Sequence, residues 1–477
     1  MSKIKNFENL NTYEKSKNII KFFDELTEKK EFKIFINNIE NVIKLEKKEI
    51  LFFFNKIFIN NFDYNKNNFK KKISYLNIVK YFFIFNGLLL LKVFFKKKIY
   101  ISKNIIILLK QIDNNEQLCS YKKIINHFGK KKILIFKDSK FKCDYITTKY
   151  NYILNSIIPL KDILKLLKSS ILIFNLSKII KINLFYFSLK LIFENYFYNY
   201  IFNNSNIKGI LSHKHYSTSN IANFYINNNS GKSFVIQKNI NTANSNGFFI
   251  SADCLFSLSK NSKIENELTF SKIKNYEYTG SFFMQNLNKE KKAQDVDLKY
   301  DILYLAGNGL KPKLYYDTYK SYANDYLLHL DWLKKISSQF ENLKVGFKHH
   351  SNNNDIFEEN ILKGSRVKII DKNINSYHLV EQSNFICSWA STMILESIAL
   401  KKHSYFLNPG LRNIQFLKGI KNFKEISISN YEQLLTIYED AKENNFIKNN
   451  LNEDYCVKKN NISNEIINSI YKYADIK

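Results

Sequence analysis

Residues Phe385 to Leu407 read "FICSWASTMILESIALKKHSYFL". Phe385 to Ser388 has the character of a short buried strand and leads into a corner of small hydroxyl side chains. Apolar residues then recur at helical spacing, and "HSYFL", His403 to Leu407, reads as a strand again. Strand, helix and strand in turn imply a parallel pair joined by a crossover helix. The corner therefore lies at the carboxyl end of a strand, where open α/β sheets bind ligands. If Ser391 caps the helix, the N–H groups of Thr392, Met393 and Ile394 face outward with the positive end of the helix dipole behind them, a phosphate site made of backbone. A capping box is ruled out, because Ile394 stands where Glu or Gln would be required. Glu396 follows Thr392 by one helical turn, so its carboxylate is expected beside whatever the helix end binds, with sugar hydroxyls as natural partners. By itself the corner reads equally well as an ordinary capped helix with an exposed glutamate.

The same alternation continues on both sides. "DILYLAG" (301–307), "LKVGFK" (343–348) and "RVKII" (366–370) are further strands, and a polar stretch over 286–299 separates them from an earlier series. That series runs through "KKILIF" (131–136), a helix over 184–202, "IKGILS" (207–212), "KSFVIQ" (232–237), "ADCLFSLS" (252–259) and "YEYTGS" (276–281). The expected organisation is a helical N-terminal extension over 1–130, an α/β domain over 131–285, a linker over 286–299 and a second α/β domain over 300–477. The two α/β units read as doubly wound domains facing each other across a cleft.

Composition narrows the partners. The chain has 477 residues and a formal net charge of +30, yet arginine occurs only at Arg366 and Arg412. The lysine excess goes with abundant Asn, Ile, Phe and Tyr, the signature of A/T-rich codons, and Arg, the residue suited to bidentate phosphate and base contacts, is nearly missing. No nucleic acid partner is expected; peripheral contact of the basic surface with an anionic membrane stays compatible with the charge. The five cysteines are scattered without a CxxC pair, which points to reduced thiols, and the polar opening "MSKIKNFENLNTYEKSKN" has no secretory pattern. The expected location is the cytoplasm, at most at the inner face of the membrane. "YFFIFNGLLLL", Tyr81 to Leu91, is too short to span a bilayer that needs about 20 residues, and it reads as a core helix or, less readily, an interfacial anchor.

Three more loops should open at the same edge as the corner. "FKHHSNNND" offers Lys348, His349 and His350, "AGNGLKP" provides Gly307 and Gly309 in a phosphate-friendly turn, and "NPGLR" puts Arg412 just past a strand end. The order of strand, "KHH", "SYHLVEQSNF" and "SWASTMILESIALKKHSYFLNP" resembles the donor domain of GT-B glycosyltransferases, closest to bacterial surface and capsular polysaccharide enzymes of the CDP-glycerol transferase group. The upstream half is similar to their acceptor side: Thr279-Gly280-Ser281 matches, whereas Gln237-Lys238-Asn239 stands where a Gln-His-Gly is usual, and His350 where a proline is usual.

The resemblance implies a GT-B-like α/β fold of two Rossmann-like domains. It also implies transfer of a sugar from a nucleotide-activated donor to a glycan or lipid-linked acceptor, the nucleotide sugar being a substrate and no cofactor being needed. Backbone at Ser391 and Thr392, with Lys348, His349 and Arg412, would meet the diphosphate, and Glu396 would orient the ribose or sugar. His213 or His215, just past the strand "IKGIL", are the candidate bases. "DVD", Asp295 to Asp297, lies in the charged linker rather than at the end of a buried strand, so no metal site is expected. Nucleotide-sugar epimerisation on the same fold, glycerophosphate transfer and a non-catalytic scaffold are the competing readings.

Overall fold

The computed structural model describes residues 20–21, 23–63, 68–69, 75–95, 101–112, 115–137, 145, 147–149, 151–180, 182–214, 218–239, 249–267, 269–286, 299–306, 320–350, 356–389, 391–409, 423–446 and 453–476. Within them two parallel sheets carry the chain. The first comprises β1 (Ile107–Ile112), β2 (Ile133–Lys137), β3 (Thr147–Lys149), β4 (Gly209–Ser212), β5 (Lys232–Ile236), β6 (Ser251–Ser257) and β7 (Lys272–Tyr278), in the order β3-β2-β1-β4-β5-β6-β7. The second comprises β8 (Ile302–Leu305), β9 (Val345–Lys348), β10 (Lys368–Ile370), β11 (Phe385–Ser388), β12 (His403–Leu407) and β13 (Ser427–Ile428), in the order β10-β9-β8-β11-β12-β13. Winding reverses between β1 and β4 and again between β8 and β11, so each sheet is doubly wound with a switch point beside its first strand.

The strands form where the sequence supplies short, continuous apolar runs. A parallel sheet is covered on both faces, so such runs are buried on both sides instead of alternating. β4, β8 and β11 are buried at every position. In the second domain Leu303, Ile386 and Phe406 pack on one face with Ile394 and Ile398, while Ile302, Tyr304 and Phe347 pack on the other with Leu330 and Leu333.

The domain boundaries differ from the sequence expectation at both ends. The central strand of the first sheet, β1, lies inside the supposed extension over 1–130: it pairs in parallel with β2 on one side and β4 on the other. Helices Lys30–Ile43, Lys47–Asn61 and Tyr75–Phe94 are likewise no separate appendage. Phe32, Phe54 and Phe85 join Phe185, Leu191 and Phe197 in one core against Leu108, Leu134 and Ile210 of the sheet. At the other end, Ile462–Ala474 leaves the second domain and packs Ile462, Ile466 and Ile470 against Ile107, Leu109 and Leu211. Burial drives both rearrangements, since each face of the first sheet needs an apolar cover that residues 131–285 alone do not supply. The stretch expected as an eleven-residue helix runs as Tyr75–Phe94, long and apolar enough to cross a membrane and only partly buried. The linker expected over 286–299 falls mainly outside the described residues.

Candidate functional site

The carboxyl ends of the two sheets meet. Leu258, just past β6, is buried in the second domain's core, and its carbonyl accepts from the Val457 N–H at 2.9 Å. Past β7, Gly280 adopts φ +74° and a Cβ there would lie 1.9 Å from the Val457 carbonyl oxygen, so the returning chain requires glycine twice over. Ser281 then donates its hydroxyl to Glu396 of helix Met393–Ala399 in the second domain. Thr279-Gly280-Ser281 is thus a clasp between domains.

This arrangement corrects the expected role of Glu396. Its carboxylate is buried and accepts from Ser281 and, at 3.0 Å, from the Tyr377 phenol of helix Ser376–Gln382. Burial raises its pKa, opposed by those two hydroxyls. It holds the corner to the first domain and does not lie open beside the helix end. The corner's backbone donors are also partly spent: Ser391 Oγ accepts from the Met393 N–H at 3.2 Å and the Ser391 carbonyl from the Ile394 N–H at 3.1 Å. Thr392 has the N-cap position with helical backbone and no side-chain cap. Two of the three N–H groups expected to face a phosphate therefore close the turn, because a helix this short satisfies its first donors locally.

Basic groups gather along the two sheet edges. Lys348 ends β9 and is buried, which lowers its pKa against the pull of Asp371. His349 turns toward helix Phe357–Leu362, with Nε2 3.4 Å from Glu359 and Nδ1 4.0 Å from Glu358, its ring edge-on to Phe347. Those carboxylates make it a poorer phosphate ligand than the sequence suggests. His350 is half-buried, and its pKa is lowered by burial first, then by the charges of Lys238 and Lys348. Lys238 lies two residues past β5, in the first domain. Its charge also depresses His213, whose pKa is pushed down to about 3 by burial first, then by Lys238 and Lys214.

His213 itself is enclosed between the rings of Tyr121 and Phe283, and neither ring nitrogen has a hydrogen-bond partner among the described residues. A base of that pKa, fully buried, is poorly suited to the proton abstraction expected of it. His215, Gly307, Gly309 and Arg412 lie outside the described residues, as does Asp295 to Asp297. Among the described residues no three His, Cys, Asp or Glu side chains gather as a metal site would require. The sequence offered His350 beside His349 but favoured His349 as the site residue, and it assigned no role to Lys238 or Lys110. Lys110 is in register with Ser212 across the first switch point and is buried, its pKa lowered to about 8 by burial against the pull of Glu194. The available signal was a lone lysine inside the apolar run "IIILLKQI".

Two doubly wound parallel α/β domains joined at the carboxyl ends of their sheets define a GT-B-like fold. No protein-family model matches the sequence, and no curated protein matches it. Similar solved structures include a UDP-GlcNAc 2-epimerase from Neisseria meningitidis bound to UDP-GlcNAc, at 13% identity over 77% of this chain and 100% of that one, with a TM-score of 0.43. Another is the UDP-GlcNAc 2-epimerase of Methanocaldococcus jannaschii, at 11% identity over 77% of this chain and 100% of that one, TM-score 0.46. A third is a variant of the wall teichoic acid polymerase TagF with CDPG, at 13% identity over 84% of this chain and 96% of that one, TM-score 0.44. Identities this low assign no activity to this chain.

Proposed function

We propose that this protein transfers a sugar from a nucleotide-activated donor to a glycan or lipid-linked acceptor, holding the donor diphosphate between the carboxyl ends of its two sheets. The observation that supports this reading is the meeting of the two sheets' carboxyl ends, where Lys348 closes β9 and Lys238 follows β5 by two residues. A diphosphate seated there would balance Lys238, Lys348 and Lys214 together, and fixed charges in a water-poor cleft stabilise the leaving group most where its charge develops. Binding would also lift both imidazoles, since the ammonium charges that depress them would be offset. The half-buried His350 then becomes the better placed base: it takes the proton of the acceptor hydroxyl as that oxygen bonds the anomeric carbon and the bond to the diphosphate breaks. Side-chain cations carry the diphosphate charge in this scheme, so turnover is expected without added divalent metal.

Calorimetric titration with UDP, CMP, CDP and GDP tests the reading, in the wild type and in Lys238→Gln and Lys348→Gln. One nucleotide should bind selectively and lose roughly tenfold or more in affinity in each variant, the scale of one charge-assisted contact. Binding of none of the four would sink the proposal. Conversion of a donor sugar to its epimer without any acceptor would replace transfer by epimerisation in the same cleft.

A further inference from the structure

We infer that helices Tyr75–Phe94 and Leu160–Ile180 form a docking face for an anionic lipid bilayer, lying in the plane of its interface. Tyr75–Phe94 buries Ile78, Phe85 and Leu89 in the first domain's core, and Lys92 donates to the Ser156 carbonyl at 3.0 Å. Its outward positions recur at helical spacing as Leu76, Lys80, Phe83, Leu90, Leu91 and Phe94, all exposed, Phe94 to 79% and Phe83 to 67%. A solvent-facing helix side that is apolar but for one lysine is not a scatter of single hydrophobes.

The second helix lies against the first, with Phe82 and Tyr75 packed on Phe174 at ring distances of 5.5 and 6.1 Å. Its outward side alternates Leu164 and Ile171 with Lys161, Lys165, Lys168 and Lys178. Both helices bury their other sides in the same core, so the two outward faces share one side of the domain. The only acidic residue in either helix, Asp162, is buried. Apolar side chains between lysines, with no exposed carboxylate, suit acyl chains below anionic headgroups, the lysine stems reaching up to the phosphates. A second copy of the chain is disfavoured on this face, because it would set lysine against lysine. Crossing the bilayer is disfavoured too, since Tyr75–Phe94 would have to leave the core that Ile78, Phe85 and Leu89 occupy. The inference is independent of the nucleotide reading.

Co-sedimentation of the full chain with vesicles tests it, using phosphatidylcholine alone and equimolar phosphatidylcholine and phosphatidylglycerol. The wild type should partition at least about tenfold more strongly to the anionic vesicles, with the preference fading as salt rises. Phe83→Ser with Leu90→Ser and Phe94→Ser, and separately Lys161→Gln with Lys165→Gln and Lys168→Gln, should each lower partitioning about tenfold or more while leaving the unfolding midpoint in place. Failure of the wild type to bind anionic vesicles would overturn the inference, as would unchanged binding by the serine variant. So would a dimer seen by light scattering without lipid that the serine variant abolishes.

Discussion

Replacing Glu396 separates a structural clasp from a ligand contact. In the structure its buried carboxylate accepts from Ser281 of the first domain and from Tyr377 of the second. Glu396→Ala removes two hydrogen bonds to a charged acceptor, each worth about 1.5–3 kcal/mol, and leaves the buried Ser281 hydroxyl without an acceptor. Burial opposes the ionised form, and losing that penalty returns part of the cost, so the net destabilisation should be about 2–4 kcal/mol. Glu396→Gln keeps an acceptor oxygen and should cost about 1 kcal/mol. The assay is denaturant unfolding followed by tryptophan fluorescence. The chain's two tryptophans, Trp332 and Trp389, both belong to the second domain, so the signal reports the side of the clasp that carries Glu396. A double-mutant cycle with Ser281→Ala should return a coupling of roughly 1–3 kcal/mol across the domains. If Glu396→Ala leaves the unfolding midpoint unchanged and abolishes nucleotide binding, the carboxylate serves the ligand and the clasp is wrong.

Gly280→Ala should destabilise by about 2–4 kcal/mol, combining a left-handed backbone with a clash against Val457; tolerance in a circular-dichroism melt would show that the C-terminal segment does not return there. Glu265, whose pKa burial pushes up to about 8 from 4.5, holds its proton in the folded state. Stability should therefore be greatest below about pH 4.5 on this account and fall by roughly 5 kcal/mol as pH rises through 8, a slope that Glu265→Gln should flatten in denaturation across that range. His213 works in the opposite sense: its folded pKa of about 3 lies below the ordinary 6.5, so its contribution is present above pH 6.5 and lost toward pH 3. His213→Phe, which suits the pocket between Tyr121 and Phe283, should reduce the acid sensitivity measured by the same titration, and an unchanged acid limb would contradict the buried neutral ring.

The sequence by itself determined that this is a parallel α/β protein with two sheets. Strands covered on both faces are written as short apolar runs, and "ILYL", "VGFK", "FICS" and "HSYFL" all fold as such. β1 escaped because Lys110 and Gln111 interrupt its run, and only the core around it explains why a lysine sits there. Which helices cover which sheet was equally illegible, since periodicity marks an apolar face but does not name its partner. The site divides the same way. A hydroxyl-rich corner and basic strand ends could be read locally, whereas the partner of Glu396 lies 115 residues away at Ser281. The charge of Lys238, which depresses His350, likewise acts from one domain on the other. Tertiary structure decided those roles, because burial and long-range contact, not residue type, determine whether a carboxylate or an imidazole faces a ligand or another part of the chain.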